Sequence, residues 1–175
     1  NATGVVDEFE KYFRESIANP ISPYKTYVVK AGNNADKINR LVKWLDLQSI
    51  KYGHPATGKS MRGFDFQNQT TGNFTLSTDD LVINIFQPKS RFITTVFEPQ
   101  SRLADSLTYH ITAWNLMYAY NLNAYAVTER IGVSRKFQIV SSDPSSNLDK
   151  PYAYILKYES IDDVGFVAEA MIQGI

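Results

Sequence analysis

The side chains that could do chemistry crowd between positions 105 and 114. Asp105, Ser106, Thr108, Tyr109, His110, Thr112 and Trp114 bring an acid, several hydroxyls, an imidazole and an indole into one short stretch. Leu103 and Leu107 on one side, and Leu116 and Met117 on the other, give it apolar company. Polar groups in such company have to be hydrogen-bonded, so the stretch predicts a fixed polar network. Ser106 has Asp105 beside it and His110 four residues on, a spacing that would face the imidazole to the hydroxyl on a helix. The nucleophile-elbow pattern G-x-S-x-G is absent, however. An Asp-Ser pair ahead of an apolar run reads more simply as a helix N-cap. His54 and His110 are the two histidines of the chain, and Thr57 and Ala113 stand where a zinc motif would need a second ligand. No zinc set can be assembled from such spacing, and His110 reads as a hydrogen-bonded, half-buried ring.

A second pattern lies upstream. Gly53 to Ser60 satisfies the phosphate-loop spacing, with Gly58, Lys59 and Ser60 closing it. That chemistry needs a helix to begin at the lysine, so that backbone N–H groups and the helix dipole hold the phosphates. Here Met61, Arg62, Gly63, Phe64, Asp65 and Phe66 follow, with the alternation of a strand. The simpler reading is an exposed turn leading into a hairpin, and a P-loop nucleotide-binding protein is kept as a lesser alternative. Asp79-Asp80 and Asp162-Asp163 read as a turn and a helix start, where acids suit the dipole.

The chain has 175 residues with which to hold these groups in place, a normal single-domain length. Hydrophobic residues make up 43% and charged residues 21%, which calls for a packed core. Lys plus Arg equals Asp plus Glu at 18 each, so the even charge disfavours nucleic acid as a partner. The absence of cysteine excludes disulfides, thiol catalysis and cysteine metal sites. No apolar run approaches the roughly 20 residues that span a bilayer.

Val5, Val6, Phe9, Tyr12, Phe13 and Ile17 recur at helical spacing until Pro20 and Pro23, which predicts an amphipathic N-terminal helix and linker over 1–23. Tyr27-Val28-Val29 reads as a strand, with a helix from Asn34 to about Gln48 and a strand at Ile50-Lys51-Tyr52. This βαβ pattern predicts parallel pairing through a right-handed crossover. Alternation across 59–78 predicts an inserted β-hairpin. Leu81 to Phe86 reads as a buried strand, Phe92 to Phe97 as the apolar face of a helix, and much of 105–120 as a further helix. Tyr125–Thr128 and Phe137–Val140 are strand candidates, and Tyr154–Lys157 with a helix from about Ile161 repeats the opening βα unit. Gly174 reads as the residue just past that helix, and the repeat breaks off there, as expected of one part of a longer polypeptide. The fold class expected is α/β, a mostly parallel open sheet flanked by helices, in one domain over 24–175.

Asn84-Ile85-Phe86-Gln87-Pro88-Lys89, then Val96-Phe97-Glu98-Pro99, then Asp105-Ser106 and Tyr109-His110-Ile111-Thr112-Ala113-Trp114, resembles a segment of large exported bacterial zinc carboxypeptidases, C-terminal to their catalytic domain. His110 departs from that pattern, which carries an acid there. The resemblance implies a non-catalytic accessory domain similar to class I glutamine-amidotransferase-like or flavodoxin-like folds. It implies export to the periplasm or cell surface. The partners it implies are the catalytic domain of the same polypeptide and peptide or cell-wall substrate. Zinc would belong to that catalytic domain, with no cofactor in this chain. No catalytic residue carries over. In the competing reading the chain is an independent small-ligand or peptide-binding domain, with Asp105, Ser106, Tyr109, His110 and Trp114 as ligand contacts at the carboxyl ends of the strands.

Overall fold

The computed structural model describes residues 2–100, 115–138 and 161–174. At its centre lies β1, Thr26–Val29, a strand of four buried residues. Successive side chains of a strand point to opposite faces, so β1 must be covered on both. Tyr27 and Val29 face a helical layer made by α2 (Ala35–Leu47) and α3 (Ser90–Phe97), sharing one apolar cluster with their buried residues. Val28 faces a smaller cluster of Met61, Phe74, Leu76, Val82, Val127 and Ile131.

α2 forms where its sequence predicts. Asn34 Oδ1 accepts from Asp36 N at 2.9 Å and from Lys37 N at 3.4 Å, satisfying N–H groups that the first turn leaves without intrahelical partners. Ile38, Leu41, Val42 and Leu45 make the buried stripe, one face of a helix with 3.6 residues per turn.

The main sheet adds β3 (Lys59–Asp65), β4 (Thr70–Leu76), β5 (Leu81–Asn84) and β6 (Ala124–Val127), in the order β4-β3-β6-β1-β5. Each of these pairings is antiparallel, which corrects the parallel, flavodoxin-like sheet expected from the βαβ pattern. The reason lies in β5. Leu81, Val82 and Ile83 are almost wholly buried, and a buried strand needs hydrogen-bond partners along both edges. β1 takes one edge. Along the other, Gly53 N donates to Val82 O at 3.1 Å and Val82 N donates to Gly53 O at 2.8 Å, an antiparallel bridge. Two antiparallel steps give the Gly53 segment the direction of β1. The crossover through α2 therefore spans an intervening strand, and residues 50–52 form no strand of their own.

The hairpin is part of the main sheet and not an insertion into another one. β3 and β4 pair from Lys59↔Leu76 to Asp65↔Thr70, and β3 joins β6 at Phe64↔Ala126 and Asp65↔Tyr125. The buried Asp65 shapes the turn: its carboxylate accepts from Gln67 N at 2.8 Å, Asn68 N at 3.2 Å and Asn68 Nδ2 at 2.7 Å. A second, two-stranded sheet pairs β2 (His54–Pro55) with β7 (Val133–Arg135). Of the strand candidate at 137–140, Phe137 and Gln138 lie just past β7 and in no strand, and 139 and 140 lie outside the described residues.

Three helices complete the description: α1 (Ala2–Ala18), α4 (Leu116–Ala119) and α5 (Ile161–Ile172). Val5, Val6 and Phe9 of α1 are exposed, and Tyr12 carries the Arg91 guanidinium 4.3 Å above its ring. Gly174 takes the left-handed φ of +76° just past α5, as the sequence predicts for a helix-ending glycine.

Candidate functional site

Asp105, Ser106, Tyr109, His110 and Trp114 lie outside the described residues. What the structure fixes is the two ends of the interval that contains them. Asn115 Nδ2 donates to Glu98 O at 2.8 Å, and Tyr118 Oη donates to Pro99 O at 3.1 Å. Asn115 Oδ1 meanwhile caps α4 through Met117 N at 2.8 Å.

The other polar residues singled out from the sequence hold the fold together. Lys59 opens strand β3 where a phosphate loop would need a helix, and its Nζ donates to Glu129 Oε2 at 2.7 Å. The geometry that cradles phosphates is not built there. His54 is buried, with Nδ1 3.2 Å from Asp80 O and its ring stacked on Phe137 at 4.8 Å. Asp79 pairs with Arg135, and Asp80 with Lys30. Gln87 acts as a side-chain substitute for a strand pairing. Its Oε1 accepts from Lys51 N at 2.7 Å, and its Nε2 donates to Lys51 O at 3.0 Å and to Asn84 O at 2.7 Å.

These anchors frame a cleft of about 710 Å³ beyond the carboxyl ends of β5 and β6 and the C-terminal end of α2. Its floor holds the buried Ile50 and Gln87 and the half-buried Tyr52, Asn84 and Phe86. Its rim holds the exposed cations Lys51, Arg130 and Lys136, with Asp46 as the acid among them. Each rim cation is placed by the backbone beneath it. Gln87 clamps Lys51. Arg130 lies between two residues bonded to one hydroxyl: Thr26 Oγ1 donates to Glu129 O at 2.8 Å and accepts from Ile131 N at 3.0 Å. Lys136 precedes the buried Phe137, whose ring meets Tyr52 edge-on at 6.3 Å.

The Arg130 guanidinium carbon sits over the Phe86 ring, 4.3 Å from its centroid, a cation–ring contact worth about 0.5–1 kcal/mol where solvent has access. Tyr52 Oη donates to Asp46 Oδ1 at 2.7 Å. Burial and then the Asp46 carboxylate push the tyrosine pKa up, so the hydroxyl stays a neutral donor. An apolar floor under a cationic rim can hold an anion attached to an apolar body. Sequence reasoning missed Lys51, Arg130 and Lys136. They sit on three separate connections, with no motif spacing between them, and only the antiparallel sheet brings them together.

No protein-family model, no curated protein and no solved structure matches this chain. Among the described residues, no helix is long and apolar enough to cross a membrane.

Proposed function

We propose that this chain is a non-catalytic accessory α/β domain of an exported, zinc carboxypeptidase-like protein, bracing the catalytic domain or positioning peptide or cell-wall substrate beside it. One observation carries the reading: within the runs that carry the resemblance, the Gln87 side chain and the Glu98 and Pro99 carbonyls do architectural work. Gln87 ties the 51 segment to the end of β5, and Asn115 with Tyr118 closes the interval after Glu98 and Pro99. A side chain whose hydrogen bonds are already used within the fold has little left for proton transfer or metal ligation. Zinc belongs to the catalytic domain in this proposal. A second reading, an independent small-ligand or peptide-binding domain, is favoured by the cleft and its rim.

The parent protein tests the first reading when compared with and without residues 24–175. The expected outcome is an unchanged zinc content per catalytic domain, with kcat/KM or thermal stability of that domain clearly reduced. Removal that leaves both rate and stability untouched overturns it.

A further inference from the structure

We propose that the cleft between the end of α2 and the β5 and β6 exits binds a monocarboxylate that carries an aromatic or branched aliphatic group, with Arg130 as the principal anion contact. This goes beyond the accessory-domain reading and does not depend on a peptidase partner. The first argument is charge. The chain as a whole is neutral, with 18 basic and 18 acidic residues, yet among the described residues this rim sets three cations against the single carboxylate of Asp46. One oxygen of that carboxylate is already engaged by Tyr52. The local excess is positive, and opposite charge is what it attracts.

The second argument is the geometry of the guanidinium. The contact with Phe86 is made by the charge over the ring and spends none of the guanidinium N–H donors, the groups that make two parallel bonds to a carboxylate. The backbone on either side of Arg130 is fixed to Thr26, which lowers the entropy lost on binding. Asn84 adds a neutral donor: its Oδ1 accepts from Phe86 N at 3.1 Å, and its NH₂ group has no partner among the described residues.

The third argument concerns the body of the ligand and its charge. Ile50, Tyr52 and Phe86 form an apolar floor, and the Gln87 amide among them has both its donors and its oxygen engaged. An apolar group can therefore cover this floor without stranding a polar one. The α2 end that borders the cleft is its C-terminus, where the helix dipole is negative and disfavours a doubly charged anion. Carboxylate is favoured over phosphate on that ground.

Calorimetric titration of the full chain tests the assignment, using N-acetylphenylalanine, the uncharged N-acetylphenylalaninamide and phenyl phosphate. The expected result is saturable binding of the acid, with the amide weaker by about tenfold or more. Arg130→Ala should weaken the acid by a similar factor, and Arg130→Lys should restore part of it. An unchanged melting curve for both variants confirms that they remain folded. No saturable binding of the acid, equal binding of acid and amide, or wild-type affinity in Arg130→Ala each overturns the proposal. Tighter binding of phenyl phosphate than of the acid overturns it in favour of a phosphate site. Neither zinc content nor catalytic rate enters this titration, so it and the accessory-domain reading can fail separately.

Discussion

Asp80→Ala is expected to lower the free energy of unfolding by about 3–5 kcal/mol, the range for breaking a buried ion pair by removing one partner. Asp80 is 1% exposed and sits where three separate groups converge. Its Oδ1 accepts from Ala31 N at 3.0 Å, and its Oδ2 accepts from Ser77 N at 2.8 Å and pairs with the Lys30 ammonium. Removing the carboxylate strands two backbone donors and a cation at once. Lys30 keeps Thr75 O at 2.7 Å and has its side chain 21% exposed, so solvent softens the loss and the lower end of the range applies. For a chain of this size each kcal/mol shifts Tm by roughly 2–4 °C. Urea denaturation measures the loss, and the neighbouring Asp79→Ala is the control. Asp79 and Arg135 form an exposed pair, worth at most about 1 kcal/mol. Equal effects of the two substitutions would remove Asp80 from its place as the buried polar anchor of β1 and β5.

Phe97→Ala carries a comparable expected loss, about 3–5 kcal/mol, through a different cause: a cavity left in the core. Phe97 is fully buried at the end of α3. Its ring lies 5.4 Å from Tyr27 of β1 and meets Trp44 of α2 edge-on at 6.1 Å. Trp44 in turn stacks on Phe92 at 5.8 Å. The ring thus joins both helices of the helical layer to the central strand, and its loss leaves a space that the surroundings fill only in part. Phe97→Leu keeps most of the volume and is expected to cost about 1.5 kcal/mol or less. Denaturant unfolding of both variants checks this. A loss in Phe97→Ala no greater than in Phe97→Leu would mean that the three elements are joined elsewhere.

Much of the fold can be read from side-chain period. Ile38, Leu41, Val42 and Leu45 mark α2 with its Asn34 cap, and alternation marks β3 and β4. Pairing direction cannot be read in the same way. A helix of α2's length fits a crossover to an adjacent strand or to one strand beyond. Nothing in Ile50, Lys51 or Tyr52 says that Leu81–Asn84 will lie between. β7 escaped for another reason: Val133, Ser134 and Arg135 are all exposed, so no burial pattern marks them, and their pairing with His54 and Pro55 is decided by tertiary contact. Gly53 shows how tight that contact is, since a Cβ there would meet Arg135 O at 2.4 Å. The cleft was illegible for a related reason. Its floor comes from residues that look like core, and its rim from lysines and an arginine that look like ordinary surface.

The proposed division of labour places hydrolysis outside this chain, and it is tested most directly on the purified chain alone. After dialysis against zinc, the chain is assayed for bound metal and for release of C-terminal residues from a panel of peptides. The account predicts zinc at the level of the dialysis buffer and release no faster than the blank. Stoichiometric zinc together with chelator-sensitive release of C-terminal residues would contradict it.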